Sequence, residues 1–156
     1  MGPPTRKDSD PEDPFSLGRF LEAQGRSYET ALSELRAGEK RSHWIWYVFP
    51  QLRGLGHSDN AQYYGITSLD EARAYLDDPI LGKRLHECVD ALLKLKDTSA
   101  ETVLGYVDAL KLRSSLTLFR IASPGDNAFV HALDRYFSGK LDPHTITLLE
   151  AIEPRA

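Results

Sequence analysis

A chain of 156 residues, 41% hydrophobic and 27% charged, has the make-up of one ordinary folded domain. Its net charge is −4, half of it from the first fourteen residues, where Arg6 and Lys7 stand against Asp8, Asp10, Glu12 and Asp13. The nearly balanced remainder lacks the basic excess of a DNA-binding face, so no DNA partner is expected, and no apolar run approaches the roughly 18 residues that span a bilayer.

The lone cysteine, Cys88, cannot form an internal disulfide. The amino-terminal stretch is polar and acidic, without the apolar core of a secretory signal, which points to a cytoplasmic location. Residues 1–13, MGPPTRKDSDPED, are rich in proline and charge and poor in apolar side chains. They predict a disordered tail ahead of a single domain over 14–156.

Along that domain, Leu17, Phe20 and Leu21 with Ala23 or Gln24 predict a short amphipathic helix that Gly25 ends. Tyr28, Ala31, Leu32 and Leu35 then mark one face of a second helix, from about Ser27 to a terminal Gly38. Trp44–Phe49 is a run of bulky side chains that suits either a buried strand or a buried helical turn. Its β-branched and aromatic content favours a strand. No partner strand is evident elsewhere, however, and a lone strand cannot satisfy its backbone groups, so the run is read as helix ending before Pro50.

Ser58 predicts the cap of a short helix through Tyr64, followed by Gly65. Ser68-Leu69-Asp70-Glu71 has the capping-box form and opens a helix over Ala72, Tyr75 and Leu76. Asp78-Pro79 reads as an N-cap with proline at the first helical position. The helix it begins runs to Leu95, with Leu81, Leu85, Cys88, Val89 and Leu92 on one stripe, which makes Cys88 a core residue. A second capping box, Thr98 to Glu101, starts a short helix that Gly105 stops. Asp108 is placed as the cap of the next helix, to about Ala122, over a core of Leu110, Leu112, Leu116 and Phe119. Asp126 to Ser138 forms another, closed by Gly139, and Asp142-Pro143 starts a last one through Glu150. The fold class is therefore all-α, a single compact domain of about eight to ten short helices.

Two stretches could carry chemistry. The first, Ser42 to Ser58, holds both tryptophans, Trp44 and Trp46, and then a polar loop with Gln51, Arg53, Gly54, Gly56, His57 and Ser58. Trp44 or Trp46 could wall a pocket for a flat ring, with Gln51 and Ser58 as hydrogen-bonding groups. Gly54 and Gly56 would let backbone N–H groups approach a phosphate or carboxylate. His43 and His57 flank the loop and are the natural proton carriers if a reaction occurs. The competing account makes the aromatics core and the glycines turn residues.

The second stretch is Lys111 to Thr117, where Lys111, Arg113 and Ser114 could clamp an anion. On a regular helix Arg113 lies about 160° from Ser115, so the whole stretch cannot converge on one ligand. Its plain alternative is a solvated helix face. No phosphate-loop or dinucleotide fingerprint occurs, and no cofactor is indicated. Metal-ligand spacings are missing too, since His86 and Cys88 point to different faces of one helix, so no metal is expected.

SHWIWYVFPQLRGLGHS, YYGI with SLDEARAYL, LGKRLHEC and DALKLRSSLTLF together resemble the signature blocks of an uncharacterised bacterial and fungal family, a mainly helical domain of unknown function. The resemblance covers roughly Pro14 to Leu149. It implies a compact helical domain and supports helix for Trp44–Phe49. No activity or catalytic residue comes with it, but it marks His43, Trp44, Trp46, Pro50, Gln51, Gly54, Gly56, Ser58, Tyr64, Gly65, Lys111, Arg113, Ser114 and Ser115. Members are sometimes labelled calpastatin, a disordered and repetitive inhibitor; with 10% aromatics, no repeats and a closed set of capped helices, this chain does not fit that label.

Two functions follow as expectations. One is a small anionic ligand, nucleotide-like or a phosphorylated metabolite, held between the 42–58 loop and the 111–115 helix, with or without turnover. The other is an interaction module that presents the exposed part of the aromatic stretch to a partner protein or a second copy.

Overall fold

The computed structural model describes residues 11–153; most of the predicted tail, residues 1–10, and residues 154–156 lie outside the described residues. Among the described residues there are nine helices and no strand. They are α1 (Gly18–Ala37), α2 (Ile45–Val48), α3 (Asp59–Tyr63), α4 (Leu69–Asp77), α5 (Leu81–Lys94), α6 (Ala100–Leu104), α7 (Tyr106–Ala122), α8 (Asn127–Phe137) and α9 (Pro143–Ile152). The all-α expectation holds, including a helical turn rather than a strand within Trp44–Phe49.

Most helix starts are set by the caps expected of them. Ser58 accepts from the Ala61 N–H, Ser68 from Glu71, Asp126 from Ala128 and Asp142 from Thr145, each at 3.0–3.1 Å. Asp78 accepts from the Ile80 and Leu81 N–H groups at 2.9 Å, so the regular helix begins at Leu81, two residues beyond Pro79.

Three further boundaries differ from the sequence reading. Gly25 does not end a helix: α1 runs unbroken from Gly18 to Ala37. A helical glycine costs about 1 kcal/mol, and Phe20, Ala23 and Gln24 before it and Tyr28, Ala31, Leu32 and Leu35 after it are all buried along the same helix. That burial outweighs the propensity. The cap of α6 is Ser99, one residue after Thr98. Asp108 is not a cap, because Gly105 takes φ 84° and ψ 160°, a conformation kept for glycine, and turns the chain straight into Tyr106.

The core is organised around α7, which packs against α2, α4, α6, α8 and α9, while α1 and α5 pair beside it. Leu112, Leu116, Leu118 and Phe119 are fully buried, and so are Ser115 and Thr117. The Lys111–Thr117 stretch is thus no solvated face. Leu110, expected inside, is instead 47% exposed, like Tyr106 and Val107 on the same turns of α7. Cys88 is buried in α5, and burial pushes its thiol up to about 12, which removes the thiolate that reactivity requires.

Two polar knots set the ends of α1. At its start, buried Arg19 donates through Nε to the Tyr63 carbonyl, through Nη1 to Phe15 and Ser16, and through Nη2 to Gly65 and the carboxylate of buried Glu71. Glu71 accepts from the Thr67 N–H and hydroxyl with its other oxygen, so the box at Ser68 reaches back one residue further than usual. At its end, Glu34 accepts from the Arg41 and Ser42 N–H groups, the Ser42 hydroxyl and the indole N–H of Trp44. The aromatic stretch is hung from this carboxylate.

Burial works against the Glu34 anion, but the bonds from Ser42, Arg41 and Trp44 outweigh it and hold its pKa at about 2, below the ordinary 4.5. A depressed folded pKa contributes stability above the unfolded value that is lost as pH falls through the folded one. His86 acts in the opposite sense. Its Nδ1 faces the Gly82 carbonyl at 2.8 Å and its Nε2 the Asp126 carboxylate at 2.5 Å, so both nitrogens meet acceptors. Burial lowers its pKa, but the Gly82 and Asp126 bonds prevail and raise it above 6.5. That contribution is complete below 6.5 and is lost as pH rises through the folded value.

Three outcomes are expected. Gly25→Ala should stabilise the protein by about 0.5–1 kcal/mol in urea unfolding, since nothing lies within 4 Å of the added Cβ. In melts followed by circular dichroism, Glu34→Gln should flatten the fall in stability between pH 4.5 and about 2. His86→Asn should flatten the fall above pH 6.5 while leaving the acid limb unchanged.

Candidate functional site

The loop after α2 is fixed from below. Pro50 is buried, the Gln51 carbonyl accepts from the Ile66 N–H at 3.0 Å, and the Arg53 N–H donates to the Ile66 carbonyl at 2.8 Å. These two bonds form an isolated bridge between Leu52 and Ile66. Gly54 has φ 106°, which only glycine adopts without strain. At Gly56 a Cβ would lie 2.9 Å from that of Ala61, so glycine is required there by space.

The loop faces the uncovered side of α7 across a cavity of about 710 Å³, a volume typical of small-molecule sites. Gln51, Gly54, Leu55 and Gly56 form one wall. Val107, Leu110, Lys111, Arg113 and Ser114 of α7 form the second. The start of α9 closes the third side with Asp142, Pro143, His144, Thr147 and Leu148. Six candidates from the sequence therefore come together: Gln51, Gly54, Gly56, Lys111, Arg113 and Ser114.

The other five do not reach it. Trp44 is fully buried with its indole N–H bonded to Glu34. Trp46 is partly buried, and the Lys111 ammonium sits 4.6 Å from its ring centre, a cation–π contact on the face that a ligand ring would need. Its indole nitrogen is buried without a partner among the described residues. His43, His57 and Ser58 are exposed, and Ser58 serves as the cap of α3.

The cationic and polar groups of α7 have distinct employments. Lys111 lies 3.4 Å from Asp108, whose other oxygen meets Lys40 at 2.9 Å. One carboxylate thus holds two ammonium groups, which leaves the local balance positive. Arg113 donates to the carbonyls of Lys140 and Leu141 at 2.9 and 2.6 Å. Ser114 Oγ lies 3.0 Å from Asp142 Oδ2, and Thr117 Oγ1 accepts from the Asp142 N–H at 2.9 Å. Arg113 and Ser114 therefore fasten the segment that carries α9, and Lys111 is the cation with the least structural duty.

Asp142, His144, Thr147 and Leu148 were not singled out for this role by the sequence. Asp142-Pro143 is a helix-start signal, which explains the pair locally and conceals its second use. The docking of α9 against α7 is a long-range event that spacing does not record.

The chain has no match among curated proteins. Its structure is similar to the crystal structure of the conserved hypothetical protein Rv1873 from Mycobacterium tuberculosis, with 50% identity, a TM-score of 0.86, and coverage of 88% of this chain and 98% of that one. Residues 14–149 match the family described as Protein of unknown function (DUF1810). The chain, through nearly the whole of its helical domain, belongs to that family.

Proposed function

We propose that the cavity between the 51–56 loop, α7 and α9 binds a small anionic molecule, nucleotide-like or a phosphorylated metabolite, in a cytoplasmic protein. The observation that carries this reading is the meeting of Lys111, Arg113 and Gln51 around one cavity of about 710 Å³. Lys111 supplies the charge contact, because Asp108 is shared with Lys40. Arg113 contributes whatever donor capacity its two carbonyl partners leave. Leu55, Val107, Leu110 and Leu148 give the ligand's body an apolar surface. The histidine on the cavity wall is His144, so proton transfer in any turnover falls to it rather than to His43 or His57.

A second reading has one observation in its favour. Tyr106, Val107 and Leu110 are 65%, 61% and 47% exposed on the first turns of α7, an apolar ridge of the kind that anchors a partner protein. The aromatic stretch itself offers less than the sequence suggested, since Trp44, Phe49 and Val48 are buried.

A thermal-shift titration separates the two. A bound anion at 100 times its Kd should add about 2.7 kcal/mol, a rise of roughly 5–10 °C for a domain of this size. Lys111→Met should keep the unliganded melting temperature within a few degrees and lose that rise. Arg113→Ala should cost about 1 kcal/mol before any ligand is added, through the loss of its bonds to the Lys140 and Leu141 carbonyls. If no anion raises the melting temperature, and Val107→Lys changes the oligomeric state in light scattering, the interaction reading prevails.

A further inference from the structure

The cavity holds two polar side chains that the fold buries without using fully. Gln51 is 7% exposed and Asp142 is 8% exposed. Buried polar groups are almost always hydrogen-bonded. Among the described residues the main chain of Gln51 is engaged with Ile66, but its side-chain amide makes no hydrogen bond and is not sealed from the cavity. Its Nε2 lies 3.7 Å from the point where a Cβ on Gly56 would be, so the missing side chain at 56 keeps the space beside the amide clear.

Asp142 is used unevenly. Its Oδ2 is within bonding distance of the Ser114 hydroxyl, the Thr145 N–H and the Thr145 hydroxyl, at 3.0, 3.1 and 2.6 Å. Its Oδ1 accepts from no described residue and is not a sealed atom either. Capping α9 therefore occupies one oxygen and leaves the other unpaired, in a residue that lines the cavity. A carboxylate so placed beside Lys111 and Arg113 does not suit a ligand that is only an anion. It suits a partner that brings N–H or O–H donors in place of water.

The geometry points to Gln51 and Asp142 as the pair that reads an amino-bearing base, adenine or cytosine, of a nucleotide whose phosphate lies toward Lys111. A carboxamide presents a donor and an acceptor side by side, the complement of an exocyclic amino group next to a ring nitrogen. The Asp142 oxygen accepts the remaining amino hydrogen, as carboxylates do from such groups. Leu55, Val107, Leu110 and Leu148 supply the apolar faces that a flat ring needs, and the tryptophans are not required. This inference rests on the anion-binding reading above, to which it adds the identity of the ligand's other end.

The test uses the full chain and isothermal titration with AMP, IMP, CMP, UMP and ribose 5-phosphate. IMP and UMP carry a carbonyl where AMP and CMP carry the amino group. A site built to accept from a donor rejects its absence strongly, so AMP and CMP should bind at least tenfold tighter than IMP and UMP. Asp142→Asn keeps an oxygen for the α9 cap and turns an amide N–H₂ to the cavity, which should reverse that preference. Should Asp142→Asn fail to fold, Gln51→Met serves instead. It removes no side-chain hydrogen bond among the described residues, so it should leave the melting temperature unchanged and still weaken AMP binding tenfold or more. Equal affinity for AMP, IMP and ribose 5-phosphate would overturn the base-reading pair while leaving the anion site intact. Binding by none of the five, with no thermal shift from other anions, would overturn both.

Discussion

A helix enclosed on nearly every side leaves few partners for its polar groups; in α7 a single short segment provides them for Arg113, Ser114 and Thr117, while the Ser115 hydroxyl is buried with no partner among the described residues. Ser114 meets the Asp142 carboxylate, Thr117 takes the Asp142 N–H, and Arg113 takes the carbonyls of Lys140 and Leu141. The same Asp142 oxygen caps α9 through Thr145. Core helix, connecting segment and last helix are thereby fixed by one buried acceptor. The cavity is what remains where α9 and the 51–56 loop fail to close over Leu110 and Lys111.

The amino-terminal half is organised on the same principle with a different pair. Arg19 and Glu71 are both buried and lie 2.6 Å apart. Bringing two charges out of water costs several kcal/mol, and their attraction alone offsets it poorly. The surplus comes from the rest of the guanidinium, whose donors also satisfy the carbonyls of Phe15, Ser16, Tyr63 and Gly65. A lysine has neither the fork nor the donors for this. The contact fixes where α1 starts relative to α4, and with it the seat of the bridge at Ile66 that supports the 51–56 loop.

What the sequence makes legible here is local. Ser58, Ser68, Asp126 and Asp142 announce their helices because a cap satisfies backbone groups within three residues of itself. Gly25 misleads because its propensity, about 1 kcal/mol, is small beside the burial of the residues on both sides of it. Asp108 misleads for a related reason: Gly105 already turns the chain, and the carboxylate is free to hold Lys40 and Lys111. The candidate site was half legible. Gln51, Gly54, Gly56, Lys111, Arg113 and Ser114 stand out by chemical type, whereas Asp142, His144 and Leu148 enter through packing between segments about ninety residues apart in the case of the loop and α9. Trp44 drew attention through its size, which is the property that places it in the core.

The walls of the cavity are unequal in how firmly they are held. Every displacement of α7 would disturb α2, α4, α6 and α8 together, whereas α9 packs principally against α7. At Gly54 an added Cβ would lie 3.6 Å from the Leu148 side chain of α9. Parts of a protein with few partners open at a small fraction of the global unfolding free energy. The cavity thus has one wall set deep among other helices and one that depends on the Asp142 anchor and on its packing against α7 alone for most of its hold.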